Sequence, residues 1–203
     1  MKKALSSREE KAVQTRLRIL EAGRTIFIEQ GFTKTTISQI IKKAGLGYGT
    51  AYVYFKNKDE LLIELVDELM NQFYQVAERS FVPNTVEEAQ SCIQEQVELF
   101  LSIAKQEAKM MSVLNEARGV STAVAKRWSE IQERFIISIT KDITFAQSKG
   151  LASNHLNPAL IARGWFYANE MFMWESVTGE SHFSIQEIRE QLTYLYMNGL
   201  YHK

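Results

Sequence analysis

Apolar residues recur at helical spacing along almost the whole chain, and the breaks between runs fall on glycine, proline or capping residues. From about Lys11 to Gln30, Val13, Leu17, Leu20, Ala22, Phe27 and Ile28 stand mostly three or four apart, and Gly31 follows as a stop. Residues 1–10 precede that run as a basic arm grading into the helix. Ile37, Ile40, Ile41 and Ala44 mark a short second helix ending at Gly45, and a helix of about two turns, Tyr48 to Phe55, restarts near Gly47. A long helix is predicted from Asn57 to about Ser80, with Leu61, Leu65, Leu69, Phe73 and Val76 on its apolar side before Pro83. Val86 to Lys105 predicts another, Gln106 to Arg118 a shorter one ended by Gly119, and Ser121 to Lys149 a long one ended by Gly150. The inner stripe of that long helix is Val124, Trp128, Ile131, Phe135, Ile139 and Ile143. Asn157-Pro158 is a cap followed by proline at the first helical position, opening a helix to about Thr178, and Ser184 caps a last helix to about Leu200. No stretch alternates apolar and polar residues as a half-buried strand does. The fold class is therefore all-α, with about nine helices.

The segment Thr35 to Leu62, TTISQIIKKAGLGYGTAYVYFKNKDELL, carries the most information. Thr36 and Gln39 form a capping box, Gly45 supplies a left-handed stop, and a second short helix follows at once. Such a pair is a helix-turn-helix candidate. Its second helix has what a groove-entering helix needs. Gly49 has no side chain to hold the backbone off DNA, Thr50 can donate or accept at a base edge, and Tyr48, Tyr52 and Tyr54 offer hydroxyls to phosphates or bases. Ala51 and Phe55, four apart, are expected to face inward. Tyr52 and Tyr54 point about 200° apart, so at least one must be exposed. Asn57 and Glu60 form a further capping box, placing Lys58 first in the long helix, where its charge joins free N–H groups as an anion site. For Lys42 and Lys43 a phosphate contact and a favourable place at a helix C-terminus explain the charge equally well.

This segment closely resembles the TetR family of bacterial transcriptional regulators. The likeness rests on ordered features: Thr35-Thr36, Ala44-Gly45, Gly49-Thr50, the run Tyr52-Val53-Tyr54-Phe55, then Lys56-Asn57-Lys58-Asp59-Glu60-Leu61. Two positions depart from the common pattern: Gly47 stands where a capping serine is frequent, and Tyr48 where a small, basic or proline residue is frequent. These departures leave the operator sequence open. The resemblance implies a three-helix DNA-binding domain, here residues 1–57, and a helical effector-binding and dimerisation domain, residues 58–203. It assigns Thr36, Lys43, Gly47, Tyr48, Gly49, Thr50, Tyr52, Tyr54 and Lys58 to a palindromic double-stranded operator.

Charge fits that division. The whole chain is formally neutral, yet residues 1–58 hold 12 Lys+Arg against 4 Asp+Glu, leaving 12 against 20 for residues 59–203. The single cysteine, Cys92, excludes an internal disulfide and sits in a helical pattern as a small hydrophobe. The start, MKKALSSREEK, lacks the apolar core of a secretory signal, and no apolar run is long enough for a bilayer, so a cytoplasmic protein without a membrane partner is expected. His155, His182 and His202 have no second ligand at metal-binding spacing. With no phosphate-cradling loop or nucleophile motif either, neither an enzyme nor a cofactor or metal is expected.

Family resemblance further implies a small effector among the middle helices. Candidate lining residues are Phe73, Cys92, Phe100, Met110, Met111, Leu114, Trp128, Phe135, Trp165, Tyr167, Asn169 and Met173, although each could equally be packed core. Few charges interrupt the set, so the expected effector is hydrophobic or aromatic and weakly charged. A homodimer is expected because one recognition helix reads too few base pairs. Ile161, Trp165, Ala168 and Phe172 on one helix and Ile188, Leu192, Leu195 and Gly199 on the next are its candidate interface, unless those stripes are spent inside one subunit. The reading is a ligand-responsive regulator, most simply a repressor released by its effector. The alternative is a helical binding protein whose N-terminal motif no longer grips DNA.

Overall fold

A computed structural model of the chain describes residues 6–201. These form nine helices: α1 (Ser7–Lys34), α2 (Ile37–Lys43), α3 (Tyr48–Ala51), α4 (Lys58–Ala77), α5 (Val86–Gln106), α6 (Ala108–Val120), α7 (Thr122–Ser148), α8 (Pro158–Thr178) and α9 (Ile185–Leu200). The one pairing of extended backbone among the described residues is an isolated bridge between Ala152 and Tyr201.

Local chemistry sets most helix ends. Capping boxes start α1 (Ser6, Glu9), α2 (Thr36, Gln39) and α9 (Ser184, Glu187), and Asn157 accepts from the amides of Ala159 and Leu160 at the head of α8. α1 therefore begins at Ser7, because the Ser6 hydroxyl accepts from the Glu9 amide, and Arg8 lies in the helix rather than in an arm. Lys2, Lys3 and His202 lie outside the described residues. Gly31 does not end α1 as its position suggested. It breaks the helix with φ of 80° and ψ of 175°, and the chain then coils on to Lys34. Gly119 likewise ends nothing: α6 runs on to Val120.

The chain divides into two compact units, Met1–Glu68 with Ser112–Arg127, and Leu69–Met111 with Trp128–Lys203. The divisions fall inside α4, α6 and α7, so each of these helices belongs to both. In the first unit α1 packs on α2 and α2 on α3 around Ile19, Phe27, Ile40, Ile41, Phe55 and Leu61, all nearly fully buried. In the second, α5 packs on α8 and α9 around Phe73, Val97, Leu101, Phe135, Phe166 and Met173. Phe73, Phe100, Phe135 and Phe166 form a chain of ring contacts with centroids 5.1, 6.0 and 5.8 Å apart.

Candidate functional site

In the first unit, Gly45 takes φ of 65°, the left-handed geometry that turns the chain out of α2, and Arg18 donates to the Ala44 carbonyl at 2.7 Å to hold the turn. The helix that follows is shorter than its sequence pattern: α3 proper spans Tyr48–Ala51. Amides of Tyr54 and Phe55 both bond the Ala51 carbonyl, continuing it as a turn. Ala51 and Phe55 are buried at 2% and 3% exposure and anchor the element from within. Outward stand Tyr48, Gly49, Thr50 and Tyr52, with Tyr54 half-buried. A methyl group added at Gly47 or Gly49 would meet nothing within 4 Å, so the backbone here is open to a flat partner. Val53, 80% exposed, lies on the same element and was not among the sequence candidates. It could meet a thymine methyl.

The remaining candidates on this unit are tied up to different degrees. Thr36 is exposed, but its hydroxyl accepts from the Gln39 amide at 3.3 Å and donates to the Gln39 side chain at 3.0 Å. Lys43 reaches Glu29 at 3.3 Å in an exposed pair worth little. Lys58 has another partner altogether. Its ammonium donates to the carbonyls of Phe32, Thr33 and Thr35 at 2.7, 3.3 and 2.9 Å, and lies 4.2 Å from the Phe32 ring centroid. All three ammonium protons are thereby committed, which makes Lys58 a brace for the end of α1 and leaves no donor for a phosphate. Glu60 also departs from the expected box: its amide bonds Asn57, but its carboxylate accepts from the Lys56 amide at 2.9 Å.

Glu116, on α6, is a residue the sequence reading missed. Its carboxylate accepts from the amides of Phe32 and Thr33 at 2.8 and 2.9 Å, directly after the Gly31 break. Burial works against its charge, but the hydrogen bonds from Thr33 and Phe32, with Lys58 nearby, prevail and hold the carboxyl below its usual range. No local signal marks Glu116, because its partners lie more than eighty positions away.

The second unit contains a cavity of about 70 Å³. Four of the twelve candidate lining residues meet there: Phe100, Phe135, Trp165 and Asn169. They are joined by Val76, Ala77, Gln96, Val97, Ile139, Asp142 and Phe166. The other eight lie elsewhere. Met110, Met111, Leu114 and Met173 are at most 1% exposed and serve as packed core, as does Phe73 behind Phe100. Trp128 donates to the buried Glu170 carboxylate at 2.9 Å, Tyr167 is 46% exposed, and Cys92 lines a separate surface hollow beside Pro83. Cys92 is thus half-buried rather than a core hydrophobe.

Asp142 is the unexpected member of the wall. Burial, only weakly opposed by Lys141, pushes its carboxyl up to about 7. A sequence signal did exist: Asp142 follows Ile139 by three and adjoins Ile143, on the inner stripe of α7, where a carboxylate is out of place.

On α8 and α9, six of the eight interface candidates, Ile161, Trp165, Ala168, Leu192, Leu195 and Gly199, line one shallow apolar depression together with Leu160, Gly164, Tyr196 and Leu200. Leu160 and Leu195 are 68% and 69% exposed. The other two candidates lie outside it. Ile188 is 4% exposed and packs inside the unit, and Phe172 faces Phe183 at 6.4 Å. No helix of the described residues is long and apolar enough to cross a membrane.

Comparison with known proteins agrees with this geometry. Residues 19–65 match the family described as bacterial regulatory proteins, tetR family, and residues 93–202 match the C-terminal domain of the transcriptional regulator EthR. The fatty acid metabolism regulator protein of Bacillus subtilis (strain 168) is 42% identical over 57 residues, 28% of this chain and 29% of that protein. The HTH-type transcriptional regulator EthR of Mycolicibacterium smegmatis is 24% identical over 188 residues, 90% of this chain and 84% of that protein. A solved SmeT–triclosan complex shares the fold, with a TM-score of 0.73 at 18% identity over 94% of this chain and 93% of that one. With the helix-turn-helix matched at one end and more than half of the chain matched at the other, the chain belongs to the TetR family of bacterial transcriptional regulators, DNA-binding proteins and not enzymes.

Proposed function

We propose that this regulator is a repressor that grips a palindromic operator as a homodimer and lets go when a small, largely apolar molecule enters the cavity of its second unit. The observation that carries the DNA-reading part is the exposed Tyr48-Gly49-Thr50 surface with Tyr52 beside it, fixed from behind by buried Ala51 and Phe55. Thr50 reads a base edge, the open backbone at Gly47 and Gly49 lets α3 sit deep in the major groove, and Tyr48, Tyr52, Tyr54, Thr36 and Lys43 hold phosphates and register. Lys58 contributes by positioning the end of α1.

Two recognition helices must meet successive major grooves about 34 Å apart, which requires a two-fold partner. The depression on α8 and α9, with Leu160 and Leu195 largely exposed, suits an isologous interface. For the effector, the cavity wall is mostly rings and aliphatic side chains. α4 supplies the coupling: its first residue, Lys58, holds the end of α1, and its last, Ala77, lines the cavity. The SmeT relative, in complex with triclosan, is a precedent for an aromatic ligand on this fold.

The test is selection of bound duplexes from a randomised library by purified full-length protein at low salt, followed by titration of the winning sequence. Thr50→Ala should change which sequence is selected, whereas Tyr52→Phe should weaken all duplexes alike. Absence of any enriched sequence would sink the reading.

A further inference from the structure

The wall of the cavity is mostly apolar and aromatic, and carries three polar side chains, Gln96, Asp142 and Asn169. Asn169 is only 7% exposed, its amide nitrogen donates to the Trp165 carbonyl at 2.8 Å, and that bond fixes the orientation of the side chain. The oxygen Oδ1 is therefore left buried with no hydrogen-bond partner, a state that normally costs about 1–3 kcal/mol of desolvation. Asp142 lines the same wall, and no hydrogen bond or ion pair to its carboxylate is found among the described residues. The nearby cations are otherwise engaged or outside: Arg134 is paired with Glu78 at 2.6 Å and lies 3.6 Å from the Tyr74 ring centroid, and Lys141 is exposed. Asp142 also lines an adjoining surface groove with Glu78, Arg134, Ser138 and Lys141. It stands where a polar head would lie while an apolar body rests among the rings.

Resting on the reading of this cavity as the effector site, we propose that its ligand is a small aromatic or apolar amine whose cationic nitrogen is held by the Asp142 carboxylate and Asn169 Oδ1. Both acceptors point to a donor. An ammonium supplies several N–H donors and a positive charge inside the cavity, where Lys141, being exposed, does not reach, and the rings of Phe100, Phe135, Phe166 and Trp165 attract a cation as well as an apolar body. Burial pushes that carboxyl up to about 7 in spite of Lys141, and a bound cation would favour its charged form. A neutral hydrophobe would leave Asn169 Oδ1 buried and unpaired, and an anion would meet the half-buried Asp142 as a like charge.

The experiment is isothermal titration of full-length protein at pH 8 with three molecules of nearly equal size: 2-phenylethylamine, 2-phenylethanol and phenylacetate. The amine should bind roughly tenfold or more tightly than the alcohol, as a charge-assisted hydrogen bond implies, and phenylacetate should bind weakest. Asp142→Asn should bring amine and alcohol to within about twofold of each other, and Asn169→Ala should weaken both donors, with folding of each variant checked by its melting curve. Equal or tighter binding of alcohol or phenylacetate, or an amine preference that survives Asp142→Asn, overturns the proposal. If none of the three binds, the cavity reading falls with it. If the amine binds selectively but leaves affinity for the selected duplex unchanged, the ligand class stands and the effector role falls.

Discussion

Replacing Asp142 with asparagine should stabilise the protein above neutral pH. The side chain keeps its shape, and the variant loses only the ability to ionise. An acid whose pKa is raised on folding favours the folded state when protonated, so in the wild type its stability is fully present below pH about 4, the unfolded value. That stability is lost as pH rises through the folded value of about 7. A shift of about three units at about 1.4 kcal/mol per unit sets a ceiling near 4 kcal/mol. Part of the carboxyl still meets solvent and its surroundings relax, so about 2 kcal/mol is the realistic gain. For a chain of 203 residues, this corresponds to a melting temperature roughly 4–8 °C higher.

The assay is thermal melting of both proteins at equal concentration across pH 4.5 to 8.5. The variant should melt higher at pH 8.5, and its lead should fall by more than half on reaching pH 5. The attraction of Lys141 for Asp142 is lost in the variant, and it is already contained in the folded value of about 7. Tyr196 and Tyr201, whose hydroxyls burial pushes far up, stay neutral throughout. Equal melting at pH 8.5, or a lead that does not change with pH, would refute the argument that burial disfavours the Asp142 carboxylate.

Three further outcomes follow. Lys58→Met should destabilise the first unit by about 2 kcal/mol through loss of charge-assisted bonds to three carbonyls, while leaving the salt dependence of DNA binding unchanged. A slope reduced by about one unit would instead identify a phosphate contact. Gly31→Ala should cost on the order of 1–3 kcal/mol in a denaturant melt, since φ of 80° with ψ of 175° is nearly glycine-only and the new methyl would lie 2.5 Å from Glu116 Oε2. An unchanged midpoint would show that the break is not needed. Leu195→Lys, at a position 69% exposed in the single chain, should convert the dimer to monomer in sedimentation at micromolar concentration. A dimer of wild-type affinity would place the interface elsewhere.

What the sequence revealed and what it hid divide by range. The α2–turn–α3 element was legible because its determinants are adjacent: Thr36 caps with Gln39, Gly45 turns the chain, and Ala51 and Phe55 sit four apart on the buried side. Its second helix came out shorter than the apolar pattern suggested, since Tyr52 to Tyr54 continue as a turn. Helical spacing also located the inner stripe of α7. It could not say which inward residues face a cavity and which pack solid. Phe100 and Met111 have the same signature, and only the neighbouring helices decide between them. The bracing contacts of Lys58 were hidden for a related reason. At a helix N-terminus a cation looks unpaired, and the carbonyls that claim it come from the end of α1, more than twenty positions away.

Those carbonyls are free because α1 ends at Lys34, and the amides beside them are free because the helix is broken at Gly31. Backbone groups of either kind must find partners when water is kept from them. Here the two sets are satisfied by opposite charges from different helices: Lys58 of α4 takes the carbonyls of Phe32, Thr33 and Thr35, and Glu116 of α6 takes the amides of Phe32 and Thr33. Gln30 and Thr35 extend the same knot to α2, with Gln30 donating to Gln39 at 3.1 Å, and Gln39 in turn closing the cap on Thr36. The start of α2 is thus referenced to α4 and α6 through a few directional bonds rather than through apolar packing alone. Apolar contacts tolerate a slide of a fraction of an ångström at little cost, whereas hydrogen bonds of 2.7–2.9 Å do not. A displacement of α4 or α6 in the first unit must therefore either carry the end of α1 with it or strand a charged group, and the second course is the more expensive. Under the proposed function, in which the cavity lined by Ala77 at the far end of α4 receives the effector, that is the property required for motion to reach the DNA-reading helix.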